Sequence, residues 1–158
     1  HPTLTCPLPC VKLEYSYSKA ECFERYAERI KRVYEACREE TYLSRINYLF
    51  IREICDILGI GTKISYSSDY CLAEGKTERL VQLVKDAGGG SYLSGPAAKD
   101  YIRENLFAEE GIALEWMDYS GYPEYAQTLQ QFEHGVSVLD LIFHKGPEAK
   151  NYMKSFGI

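Results

Sequence analysis

A chain of 158 residues that is 46% apolar and 26% charged has the size of one domain and enough apolar material to bury a core. Its formal charge of −5 comes without a basic run or stripe, which argues against a nucleic-acid partner held through phosphates. No segment approaches about eighteen consecutive apolar residues and no signal peptide is visible, so no transmembrane segment is expected and the expected location is cytoplasmic.

Residues 1–16 begin with His1, are rich in Pro, Thr and Cys, and read as irregular. Cys6 and Cys10 stand on either side of Pro7 and Pro9, and no second cysteine pair or nearby histidine completes a zinc site. Residues 17–60 read as helical. A first helix is expected from Ser18 to Arg38, where Ser18 and Glu21 have capping-box spacing and Cys22, Tyr26, Ile30, Val33 and Cys37 form one apolar stripe. A second runs from Thr41 to Leu58, with Leu43, Ile46, Phe50 and Ile54 inward and Gly59 and Gly61 stopping it. The two helices can pair as a hairpin, and an amphipathic hairpin is also a surface on which a homodimer can form. Cys22, Cys37 and Cys55 fall on the apolar stripes, where a reduced thiol is a small core residue.

Residues 61–158 read as α/β. Thr62–Tyr66 is expected to be a strand, 75–87 a helix, 91–93 a second strand, Pro96 the opening of another helix, and Ile112–Met117 a third strand. Such alternation implies crossovers between parallel neighbours. The expected fold is therefore α/β: a helical hairpin followed by a small, mostly parallel sheet with Rossmann-like crossovers, in a single domain over 1–158. Two short helices, Ser137–Phe143 and Pro147–Phe156, close the chain.

Ligands in parallel sheets collect outside the carboxyl ends of strands, and helix starts present free amides to anions. Ser94 and Gly95, with Lys99 just beyond, occupy such a place, and Gly146 before Pro147 repeats the arrangement. Lys76 stands at a third helix start. Gly75-Lys76-Thr77 resembles the end of a phosphate-binding loop, but Tyr70 occupies the position where the pattern requires glycine, which rejects an NTPase. His134, in a loop before a helix, is a candidate acid or base near neutral pH. Asp140 follows Ser137 by three residues, so it either answers a helix-start amide or orients His134; Asp69, at the end of the first expected strand, is a comparable acid. His144 ends a helix, where the dipole alone favours a charged imidazole. Fourteen tyrosines against six Phe and one Trp suit a wet cleft.

The stretches Thr62-Lys63-Ile64, Ser67-Ser68-Asp69, Gly75-Lys76-Thr77-Glu78-Arg79-Leu80 and Ser91-Tyr92-Leu93-Ser94-Gly95-Pro96 resemble the WbqC-like family. Tyr122-Pro123-Glu124-Tyr125 and the closing run from Phe132 to Phe143, with Gly146-Pro147-Glu148-Ala149, resemble it further. Members of that family usually open with a strand and a Tyr-, Pro- and Gly-rich motif, which this sequence lacks, so a missing N-terminal segment is expected. The resemblance implies transfer of glycine, or a similar small acyl or aminoacyl group, to a sugar of bacterial surface polysaccharide. No cofactor is implied, and a sugar or nucleotide-sugar is the expected partner. In that picture His134 takes a proton from the acceptor and Asp140 or Asp69 orients it. Ser67, Lys76, Tyr92, Ser94, Gly95, Lys99, Tyr122, Tyr125 and Gly146 bind substrate. The alternative is a non-catalytic sugar- or nucleotide-binding accessory protein of the same pathway.

Overall fold

A computed structural model describes residues 8–129 and 131–156 of the protein, with the backbone alone over 8–10. The chain is a mixed α/β protein. It forms two compact units, one built from residues before 62 and after 121, the other from residues 62–121.

In the first unit, helix α1 covers Leu8–Tyr17, which corrects the expectation of irregular structure over residues 8–16; residues 1–7 of that stretch lie outside the described residues. Pro9 falls in the first turn, where its missing amide breaks no helical hydrogen bond. Cys6 lies outside the described residues, as does the side chain of Cys10. A tight turn then leads into α2 (Phe23–Ala36). The Ser18–Glu21 capping box does not form, because α1 ends just before Ser18 and α2 starts only at Phe23. The start of α2 is tied by tertiary structure instead: the Cys22 amide donates to the Phe143 carbonyl at 2.8 Å.

The expected stripe on α2 holds, with Tyr26, Ile30 and Val33 buried. Helix α3 (Leu43–Ile57) pairs with it as the expected hairpin. Tyr34 meets Phe50 edge-on at 4.8 Å between ring centres, and Arg29 bridges to both Glu53 and Asp56. None of the side chains of α3 itself is fully buried. Gly59, at φ 60°, ends the hairpin, and the Ile60 amide reaches back to the Cys55 carbonyl. The chain returns to this unit with α6 (Val138–Lys145), whose Ile142 and Phe143 have no exposed surface. Tyr17 and Phe23 pack on the Phe143 ring at 5.2 and 5.1 Å. The expected last helix is a 3₁₀ segment over Gly146–Tyr152, followed by another over Lys154–Phe156.

The second unit departs from the expected sheet at its start. Thr62–Tyr66 is not a strand; it leads into a 3₁₀ turn at Ser67–Asp69. Alternating side chains do not make a strand without a ladder partner, and the sheet among the described residues has two members. These are β1 (Ser91–Ser94) and β2 (Ala113–Trp116), parallel, with Ser91 opposite Ala113 and Ser94 opposite Trp116. Helix α4 (Lys76–Asp86) precedes β1. A 3₁₀ segment at Pro96–Asp100, where a fuller helix was expected, and then α5 (Glu104–Glu109) carry the chain to β2. Val81, Val84, Ala98, Ile102, Phe107 and Ile112 form this unit's own core. Among the described residues no helix is long and apolar enough to cross a membrane.

Candidate functional site

The first unit contains a buried polar cluster centred on α6. This helix is apolar on nearly every side, so its two buried polar members stand out. Asp140 and His144, one helical turn apart, are only 4% and 6% exposed. Burying such groups is costly unless each atom is hydrogen-bonded, and here they are. The Asp140 Oδ1 atom accepts from the Tyr125 hydroxyl at 2.8 Å and from Gln127 Nε2 at 2.9 Å. Gln127 is itself held by the backbone of Glu133, donating to its carbonyl at 3.0 Å and accepting from its amide at 2.8 Å. Burial, and then the bonded Asp140 carboxylate, push the Tyr125 phenol far above its ordinary range. Tyr17 is shifted the same way, first by burial and then by Asp140.

The tautomer of His144 follows from its partners. The Thr128 backbone amide donates to His144 Nε2 at 2.9 Å, and an amide N–H can only donate, so Nε2 carries the lone pair. The proton therefore sits on Nδ1, which donates to the Asp140 carbonyl at 2.8 Å with the Asp140 carboxylate 3.4 Å away. The Thr128 hydroxyl lies 2.8 Å from the same Nε2. An open pocket of about 220 Å³ covers this edge, lined by Lys19, Glu21, Gln127, Thr128, His144 and Lys145.

The residues expected in this unit divide around that cluster. Asp140 and Tyr125 are at its centre. Asp140 does not serve the helix start, which Ser137 caps through its own Oγ to the Leu139 amide. His134 is exposed, with its ring edge-on to Phe132 at 4.6 Å and Nε2 3.9 Å from Glu124. Asp140 is hydrogen-bonded to neither ring nitrogen of His134; the histidine it holds is His144. Tyr122 lies beneath the Lys154 ammonium. Gly146 is buried at the end of α6 at φ 49°, where a Cβ would stand 2.6 Å from Cys22 Sγ and 3.3 Å from the Tyr26 ring. Its lack of a side chain admits close packing.

In the second unit Asp69 is exposed and accepts from the Tyr66 amide at 2.9 Å, and Ser67 opens that same turn. Lys76, at the start of α4, lies over the Tyr101 ring at 5.7 Å. Glu78 sits in this first turn and is paired with Arg103, so a carboxylate already occupies the place offered to an anion. Arg103 holds the Glu78 carboxyl below its ordinary range. Ser94 and Gly95 stand at the carboxyl end of β1, with Ser94 buried. Lys99 places its ammonium 5.3 Å from the Trp116 ring centre, at the matching end of β2. Tyr92 stacks on Phe107 and so belongs to the core.

The sequence profile of the WbqC-like protein family matches residues 10–152. The chain belongs to that family. A Mycobacterium tuberculosis protein, "Uncharacterized protein Rv1507c", is 42% identical to this WbqC-like chain over 142 residues, 90% of the chain and 61% of that relative. The chain therefore spans less than two thirds of its relative's length. No solved structure matches it.

Sequence reasoning about this WbqC-like protein gave His144 only a helix-end role and missed Thr128, Gln127 and Tyr17. One signal was present: two polar residues four apart in a helix that is apolar from Val138 to Phe143 apart from Asp140 turn the same way, into whatever that face meets. Among the described residues, no group of three or more His, Cys, Asp or Glu is arranged to hold a metal ion.

Proposed function

We propose that this WbqC-like protein transfers a small acyl or aminoacyl group, with glycine the implied example, to a sugar of bacterial surface polysaccharide in the cytoplasm. The observation that supports this most is the buried Asp140–His144 pair, whose unprotonated Nε2 meets an open pocket flanked by Lys19 and Lys145. Acyl transfer needs a base for the attacking hydroxyl or amine, and a neutral imidazole with a carboxylate behind its other nitrogen suits that role. The lysines supply positive charge for an anionic donor or nucleotide-sugar. His134, with Glu124 near it, remains a second candidate base, and Tyr122 and Tyr125 are candidate sugar contacts in the same unit.

The test uses the full-length protein with nucleotide-sugars and either acetyl-coenzyme A or labelled glycine with ATP, reading product by mass spectrometry. Transfer that falls at least a hundredfold in Asp140→Asn, with the fold retained, supports the reading. Full activity in His134→Ala removes His134 from the machinery. Absence of product from every pair, in folded protein, refutes the transferase reading.

A non-catalytic binding role is the second reading. It is favoured by the edge of the two-stranded sheet, where Ser94, Gly95 and Lys99 gather beside Trp116, an aromatic face suited to a sugar or base. A thermal shift with a nucleotide-sugar that is lost in Trp116→Ala, without turnover, would support it. A homodimer is part of either proposal. Tyr42, Leu43 and Ile51 expose apolar side chains on and beside α3, and sedimentation of the protein with Leu43→Glu tests their use as an interface.

A further inference from the structure

We propose that Thr128 is an acyl-accepting nucleophile, with His144 as its base and Asp140 as the positioning residue behind the imidazole. The inference rests on the transfer reading above and names the covalent route it takes.

Because the Thr128 amide already donates to His144 Nε2, that nitrogen carries no proton to offer the hydroxyl. The hydroxyl, 2.8 Å from Nε2, is therefore the donor, and its lone pairs face away from the imidazole. Thr128 is exposed and lines the pocket, whereas the imidazole and carboxylate behind it are buried. A reactive hydroxyl open to a ligand, hydrogen-bonded to a sequestered base whose other nitrogen faces a carboxylate, is the nucleophile–base–orienter arrangement of acyl-transfer enzymes. The Asp140 carboxylate is fixed by Tyr125 and Gln127 and sits 3.4 Å from Nδ1, close enough to favour the imidazolium when it forms. A simple clasp between loop and helix needs only the amide bond. The hydroxyl contact goes beyond it.

The reaction balances without an oxidant or reductant. The Thr128 oxygen attacks the carbonyl carbon of an activated acyl donor as its proton passes to Nε2, whose lone pair the Thr128 amide releases in the same step. The bond to the leaving group then breaks, and the leaving group departs with that proton. The acceptor amine or hydroxyl attacks the new ester, loses its proton to Nε2, and the Thr128 oxygen takes it back. The donor is an activated acyl compound, either a thioester or an aromatic ester serving as its mimic.

The experiment treats the protein with acetyl-coenzyme A and, separately, p-nitrophenyl acetate, and maps acetyl groups on its peptides. The expected result is a hydroxylamine-sensitive acetyl ester on Thr128, formed at least tenfold faster than any label in Thr128→Val. That variant keeps the backbone amide bond to His144 and the side-chain shape, so its fold should survive; circular dichroism checks this. Thr128→Ser should retain the label, and Asp140→Asn should slow labelling and shift its pH profile. Absence of label at Thr128 with both donors overturns the proposal, as does equal labelling in Thr128→Val. If Thr128→Val still transfers acyl groups to a sugar, the covalent route fails while the transferase reading stands. If neither labelling nor transfer occurs, both fail.

Discussion

Replacing Gly146 with alanine separates two roles that this glycine has been given, a ligand-facing backbone and a packing contact. At φ 49° and ψ −118° a side chain is strained whatever its surroundings, at about 1–3 kcal/mol. A Cβ would also lie 2.6 Å from Cys22 Sγ and 3.1 Å from Cys22 Cβ, with the Tyr26 ring at 3.3 Å. Overpacking of this kind adds about 1–3 kcal/mol. The two together come to about 4 kcal/mol, which for a chain of this length lowers Tm by roughly 8–16 °C. Urea unfolding followed by circular dichroism measures the loss, with an unchanged slope showing that the two-state comparison holds. A companion Cys22→Ala change removes the Sγ atom, so the double variant should regain part of the packing cost and none of the backbone strain. A loss below about 0.5 kcal/mol in Gly146→Ala would refute the packing account. Strict additivity in the double variant would refute the contact with Cys22.

Other expectations concern the ionisable groups. Tyr125→Phe removes the hydroxyl donor to Asp140 and should cost about 1.5–3 kcal/mol at neutral pH. Because the folded state raises the Tyr125 pKa above its ordinary 10.0, the stability it contributes is complete below that pH and is lost above it. The variant's Tm should therefore decline less steeply beyond pH 10 than the parent's, and parallel curves would contradict this. In Arg103→Gln the Glu78 carboxyl should titrate at a higher pH by carbon NMR, because the guanidinium that holds it down is gone. Arg29→Ala breaks both bridges between α2 and α3 yet should cost no more than about 1 kcal/mol, since the Asp56 pair is exposed and the Glu53 pair still reaches solvent. A larger loss in urea unfolding would mean the hairpin depends on them.

Local periodicity made the helical part legible. The stripe of Tyr26, Ile30 and Val33 repeats every three to four residues, so a core-facing helix could be read without knowing its partner. The sheet was less legible because pairing is non-local: Ser91–Ser94 and Ala113–Trp116 found one another, while Thr62–Tyr66 met no partner. The cluster around α6 was half legible. Asp140 was singled out, but its expected companion was His134, six residues away across a loop, rather than His144 on the same helical face. Thr128 and Gln127 reach that face over sixteen and thirteen residues, a separation that no local pattern encodes.

The first unit is discontinuous in sequence, and this has a consequence for how the chain is made. Ribosomal synthesis delivers residues 62–121 before α6 exists, so the second unit has all its core residues while the first still lacks Ile142 and Phe143. Until they emerge, Ile30 and Tyr26 have nothing in α6 to cover them. Closing the intervening loop costs about 4 kcal/mol of chain entropy on a flexible-chain estimate. A released chain truncated after Gly121 should thus show a protease-resistant second unit beside helices still open to cleavage. The enclosed unit is thus free to mature first, while Tyr26 and Ile30 wait for Ile142 and Phe143.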